Sequence, residues 1–202
     1  MNFLCLTQHL INDRIIKRYF INREDSKMEY LEENDKIAIR KLAEEDYDAF
    51  CDLNYSRSLF KAFFNEKFMQ RLWKSANAED ILVCTIIEKS SGDICGFCQL
   101  EHIDTQTQEI GIDIIDRFMM NGYGQGAVKL LMSYAKQCLN ADYFIWKAYK
   151  TNSISIHIAK KLGGQFISEK TLLPQKMIGY GKEKGIITSD EDISYVCIYK
   201  IE

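Results

Sequence analysis

Ile110-Gly111-Ile112-Asp113-Ile114-Ile115-Asp116-Arg117-Phe118-Met119-Met120-Asn121-Gly122-Tyr123-Gly124-Gln125-Gly126 is the stretch on which the reading of this chain turns. Isoleucines at 110, 112 and 114 share one face of an extended segment, so a strand is expected over Glu109 to Ile115. Three glycines within five residues follow, and Ala127, Leu130, Leu131, Tyr134 and Ala135 then recur at helical spacing, predicting a helix from Gly122 to Leu139. Glycine at a strand-to-helix turn permits torsions that other residues resist and lets the backbone approach a ligand. The unpaired N–H groups of the helix's first turn converge where the helix dipole favours negative charge. A diphosphate fits such a nest without a basic side chain, although the turn in isolation reads equally well as a flexible helix start. Two phosphate motifs are excluded. No Lys-Ser or Lys-Thr follows the glycines, and Gly122-Tyr123-Gly124-Gln125-Gly126 is neither GxGxxG nor the opening of a βαβ unit.

Working outward, Ile81 to Glu88 and Ile94 to His102 are β-prone runs joined by the turn Ser90-Ser91-Gly92-Asp93, a hairpin. Upstream, a strand is expected over Ile37 to Leu42 and a helix over Glu44 to Leu53, with acidic residues in its first turn where the dipole favours them. A second helix is expected over Leu59 to Lys74. Downstream come a strand over Tyr143 to Tyr149, a helix over Ser153 to Leu162, and strands over Gln165 to Lys170 and Ile193 to Ile201. Pro174 to Asp192 reads as a loop. This order predicts an α+β fold with a mixed, mostly antiparallel central sheet flanked by helices. Residues 1–35 form a separate N-terminal extension ahead of a domain over 36–202: Leu6, Leu10, Ile11, Ile15, Ile16, Tyr19 and Phe20 predict an amphipathic helix, and Arg23 to Lys36 a charged linker or exposed turn. The extension serves as a packing helix, a homodimer contact or a lid.

A formal net charge of -3 with both signs mixed gives no basic face, which argues against nucleic acid as a partner. No apolar run approaches the length of a membrane span, so no membrane partner is expected. Seven cysteines, an odd number, stand without a secretory leader; reduced, buried thiols and a cytoplasmic location are expected. Cys95 and Cys98 form a CxxC, but no second pair accompanies them and on a regular strand they face opposite ways, so no metal site is expected.

Met119 to Gly124 resembles the Arg/Gln-x-x-Gly-x-Gly/Ala signature of the GNAT family of N-acetyltransferases, with Met119 replacing the leading Arg or Gln. Asn152-Ser153-Ile154-Ser155 is similar to that family's Asn-x-x-Ser, and Lys161-Leu162-Gly163-Gly164-Gln165-Phe166 to its Lys-Leu-Gly-Phe with one residue inserted. Ile39-Arg40-Lys41-Leu42 with Glu45-Asp46 resembles the opening of the subgroup related to ribosomal-protein alanine acetyltransferases. The resemblance spans residues 36 to about 168. It implies acetyl-CoA as acyl donor and a small-molecule or peptide amine as acceptor. It also implies that main-chain groups of Ile112 and Ile114 pair with the pantetheine arm. Main-chain amides of Met119, Met120, Asn121, Gly122, Tyr123 and Gly124 would hold the diphosphate, and Asn152 and Ser155 would face the cofactor. Asn152 also suits a helix N-cap. The family's tyrosine acid falls here on Ala159, so that role is vacant.

Acetyl transfer needs a proton acceptor and a donor for the developing oxyanion. A strand amide near Ile114 could serve as that donor. Glu101 and His102 at one strand end, and Glu109 and Asp113 on the next strand, are the candidate bases, with water as relay an equal alternative. Tyr123 reads as a packing or cofactor-edge residue, and His157 as a surface or packing histidine. The function expected is acetyl-CoA-dependent N-acetyl transfer to a primary amine. The alternative is a non-catalytic acyl-CoA-binding sensor on the same scaffold.

Overall fold

The structure, a computed structural model, describes residues 29–58, 61, 64–189 and 193–202. The amphipathic helix expected over Leu6 to Phe20, and the start of the helix expected from Leu59, lie outside them. Extended, β-branched runs form eight strands: β1 (Glu32–Glu33), β2 (Ile37–Lys41), β3 (Ile81–Glu88), β4 (Ile94–Glu101), β5 (Thr107–Ile114), β6 (Tyr143–Tyr149), β7 (Gln165–Thr171) and β8 (Tyr195–Ile201). Five α-helices accompany them among the described residues: α1 (Tyr47–Arg57), α2 (Glu66–Ala76), α3 (Tyr123–Cys138), α4 (Ser153–Lys161) and α5 (Gln175–Glu183). The strands join in one mixed sheet of order β1-β2-β3-β4-β5-β6-β8-β7, in which β5 and β6 are the parallel pair. The expected α+β architecture is the one observed. Two details differ. The charged stretch before Lys36 contributes β1, which pairs with β2. The segment expected as a loop over 174–192 contains α5, started by Pro174 and closed by Ile187 packing on Gly181.

One face of the sheet carries the larger core, where Ile37, Ile86, Leu100 and Ile110 meet Val128, Leu131 and Ala135 of α3. The other face is covered by α1 and α2 through Phe50, Leu53, Val83 and Phe97. Cys95 and Cys98 do not face opposite ways. Ile86 pairs with Gly96 and Ile87 with Ile94, so the register slips by one residue and Cys95 is bulged onto the same buried layer as Cys98. Gly96 sits against β5 so closely that a Cβ would lie 2.1 Å from the Asp113 carbonyl oxygen. Burial pushes the Cys95 thiol up to about 11. The Cys84 contact and burial push Cys98 up as well. Both disfavour thiolate, which metal binding and redox chemistry require. None of the six described cysteines is in a disulfide. Among the described residues no helix is long and apolar enough to cross a membrane.

The acidic first turn expected ahead of α1 has a different purpose. Asp46 is fully buried and accepts from both terminal nitrogens of the Arg40 guanidinium, Nη1 at 2.6 Å and Nη2 at 2.7 Å. Thr85 Oγ1 (2.6 Å) and the Ala43 amide (2.9 Å) complete its shell. Burial pushes the Asp46 carboxyl up, but its hydrogen bonds to Arg40, Thr85 and Ala43 outweigh that and leave it below the ordinary 3.8. Asp46→Asn therefore strands a buried guanidinium and should cost about 3–5 kcal/mol. Because the carboxyl is more acidic folded than unfolded, this stabilisation is full at neutral pH and fades as pH falls below 3.8. Urea titrations at pH 7 and below pH 4 should show the wild type losing more stability on acidification than Asp46→Asn; parallel losses would refute the assignment.

Candidate active site

The amide of Ile115 bonds the Cys95 carbonyl at 2.8 Å, which sets the phase of the β4–β5 ladder. Odd-numbered residues of β5 therefore turn their main-chain groups toward β4, and Ile112 and Ile114 turn theirs toward β6. β6 does not meet them. The β5–β6 pairing runs from Thr107/Tyr143 to Ile110/Trp146 and stops, while β6 continues beside β8 as far as Tyr149/Val196. A gap thus opens inside the sheet, edged by the main chain of Ile112 and Ile114.

The glycine-rich turn lies at the end of this gap. Met120 (φ 63°) and Gly122 (φ 79°) both adopt the left-handed conformation, and Gly122 caps α3 without a side-chain hydrogen bond. The first intrahelical bond runs from the Gly126 amide to the Gly122 carbonyl. The amides of Tyr123, Gly124 and Gln125 consequently precede it and need other acceptors. Gly124 faces Ile112, Ile114 and Ile158, tying the turn to β5 and α4. The Met119 amide, expected among the diphosphate donors, already closes a turn on the Asp116 carbonyl at 3.1 Å. Asn121 Nδ2 bonds the Phe118 carbonyl at 3.4 Å. Tyr123 is a packing residue: its hydroxyl donates to Glu88, and that bond pushes the phenol up to about 12. Across the gap, Asn152 is the N-cap of α4, its Oδ1 accepting from the Ser155 amide at 3.0 Å. Ser155 Oγ accepts the Trp146 indole N–H at 3.0 Å, so this hydroxyl pins α4 to β6. Ala159 is fully buried and His157 exposed on the same helix.

On the face covered by α1 and α2, a cleft of about 310 Å³ is walled by Phe50, Leu53, Leu72 and Phe97. Gln99, Glu101, Gly111 and Asp113 line its sheet side, and among the described residues no Lys, Arg or His lines it. The four candidate bases separate here. Glu101, His102 and Glu109 cluster with their ligand atoms within 4.8 Å of one another. Glu109, directly opposite Glu101, is ion-paired with Lys147, and Glu101 accepts from Gln99 Nε2 at 2.8 Å. His102 is exposed past the strand end at φ 61°. Asp113 stands apart on the cleft floor, its carboxyl raised by the surrounding protein and held back by Arg57. Arg57, Gln99 and Lys147 were not legible in the sequence, because their partners are set by strand register.

Residues 36–165 match the family model described as an acetyltransferase (GNAT) domain. No curated protein sequence matches the chain. Among solved structures, spermidine N-acetyltransferase from Vibrio cholerae in complex with CoA and spermine aligns at TM-score 0.65 and 12% identity, over 82% of this chain and 95% of that one. A dodecameric structure of that enzyme gives 0.64 and 14%, over 83% and 94%. A domain from Methanocaldococcus jannaschii gives 0.60 and 17%, over 83% and 99%. At these identities the likeness shows the fold.

A Cβ on Gly124 would meet the side chains of Ile114, Ile112 and Ile158 at 3.5–3.8 Å, ordinary contact distances. Gly124→Ala should therefore keep the wild-type melting temperature within a few degrees, and on the expectation that this turn takes a diphosphate against its backbone it should weaken coenzyme A at least tenfold by calorimetry. Unchanged coenzyme A affinity would rule out the nest as the binding point.

Proposed function

Because the chain belongs to the GNAT acetyltransferase family, we propose that it moves the acetyl group of acetyl-CoA to the primary amine of a cationic alkylamine held in the cleft. The observation that carries this reading is the juxtaposition of the gap in the sheet, the open amides at the start of α3, and a cleft lined by Glu101 and Asp113, with Arg57 at its edge as the cation beside Asp113 among the described residues.

The diphosphate of the donor would rest on the amides of Tyr123, Gly124 and Gln125. Its pantetheine arm would lie in the gap, pairing with main-chain groups of Ile112 and Ile114 and capped from α4 by Asn152. That grip comes from backbone, so Met119 in place of Arg or Gln removes one side-chain donor and leaves the nest. The neutral amine attacks the thioester carbonyl carbon, the carbon–sulfur bond breaks, and coenzyme A leaves with its sulfur. The proton shed by nitrogen goes to Asp113, whose carboxyl is raised by desolvation and held back by Arg57, a shift that strengthens it as a base. Glu109 is ion-paired with Lys147, and neither it nor the exposed His102 beside it lines the cleft, which leaves Glu101 to anchor a second ammonium of the acceptor.

A polyamine suits this charge pattern, and the Vibrio cholerae relative is a spermidine N-acetyltransferase crystallised with spermine. The likeness to the ribosomal-protein alanine subgroup rests on Arg40 and Asp46 among others. In this chain those two side chains form a buried clamp, so that likeness speaks for the fold and is silent on the acceptor.

Steady-state acetylation of diamines and polyamines, simple monoamines, and a peptide with N-terminal alanine tests the reading. Diamines and polyamines should exceed monoamines at least tenfold in kcat/KM, and Glu101→Gln should erase that preference mainly through KM. A preference for the peptide would overturn the acceptor class; coenzyme A binding with no turnover on any amine would overturn the activity.

A further inference from the structure

Arg57, the last residue of α1, reaches across to the cofactor-facing strand and makes three contacts there. Its Nη2 donates to the Ile114 carbonyl at 2.6 Å and to Asp116 Oδ1 at 2.7 Å. Its Nε lies 3.9 Å from Asp113 Oδ1. Ile114 is a residue whose main chain edges the gap, and Asp113 is its neighbour on the cleft floor. One planar guanidinium therefore hydrogen-bonds the gap side of the site through Nη2 while its Nε makes a longer ion pair with Asp113 on the cleft side, a span of two donors that a lysine's single ammonium lacks.

We propose that Arg57 is a positioning residue for acetyl transfer, fixing the Asp113 carboxylate on the cleft floor while clamping the Ile114 carbonyl at the edge of the gap. This rests on the reading of Asp113 as proton acceptor. Two consequences follow for the same side chain. Fixing the Ile114 peptide orients the main-chain groups that meet the pantetheine arm. Facing Asp113, the guanidinium stabilises the ionised carboxylate against the neighbouring protein, which pushes the carboxyl up. The other charged groups around Asp113 do not replace it. Asp116 and, on β4, Glu101 share its sign. Glu109, on its own strand, is paired with Lys147 of β6. α2 presents the uncharged Leu72, Ser75 and Ala76 to the cleft.

The test uses Arg57→Met, Arg57→Lys and Asp113→Asn, reading kcat, KM for acetyl-CoA, the pH profile of kcat/KM and the melting temperature. Arg57→Met should lower kcat roughly ten- to a hundredfold through lost orientation. It should also move the acid limb of the profile to higher pH, because the carboxylate loses the charge that keeps it ionised. Arg57→Lys should hold the acid limb near its original pH while failing to restore kcat. Asp113→Asn should abolish the limb. An Arg57→Met enzyme with an unmoved acid limb, alongside an Asp113→Asn enzyme that lacks one, overturns the role of Arg57 and leaves Asp113 standing. A limb that survives in Asp113→Asn instead overturns Asp113, and the proposal with it. Should Arg57→Met melt below the assay temperature, Arg57→Lys decides: wild-type kcat and KM there would show that the fork is not required.

Discussion

The parting of β5 from β6 beyond Ile110 is the constraint to which the rest of the molecule is fitted. Each strand stays fully paired on its outer side, β5 with β4 out to Ile114 and β6 with β8 out to Tyr149. The opening therefore runs through the middle of the sheet, where unpaired backbone is most costly unless water or a ligand satisfies it. The flanking helices hold it open. α4 is pinned to Trp146, the last β6 residue paired with β5, through Ser155, and α3 inserts Gly124 among Ile112, Ile114 and Ile158. A substrate that brings its own amide groups can complete the ladder the protein leaves unfinished.

α1 is the element that relates this opening to the cleft beside it, and it is tied at both ends. Its N-terminal end is anchored by the Arg40–Asp46–Thr85 cluster, which joins β2, the turn before the helix and β3. Its C-terminal end is anchored by Arg57 on β5. A buried ion pair adds little net stability over an apolar replacement, but it tolerates few alternative geometries. Such a pair suits a helix whose rotation would carry Phe50 and Leu53 out of the cleft wall and Arg57 away from Ile114.

What was legible in the sequence was whatever depends on neighbours along the chain. The alternation at Ile110, Ile112 and Ile114, the glycines at 122 and 124, and the Asn152 cap all have local signatures, and the strand, the glycine-capped start of α3 and the start of α4 are found where they predict. The failures share a cause as well. The bulge at Cys95 arises because Gly96 must pass close to Asp113 on another strand. Asp46 looked like a dipole-favoured residue because Arg40 and Thr85 approach it only after the sheet has formed. α5 was hidden by glycines at 179 and 181, the second of which is needed for contact with Ile187.

The same distinction separates the two halves of the site. The proposed donor half is built from main-chain groups, whose directions follow from strand alternation and a helix start, so it would survive replacement of a side chain at Met119. The acceptor half is built from side chains of α1, α2, β4 and β5 that become neighbours only through register. The chemistry proposed for it would rest on an arrangement of Glu101, Asp113 and Arg57, not on a motif. A fold of this kind can keep its acyl donor while its acceptor changes, because substitutions on the cleft face leave the backbone edge of the gap untouched.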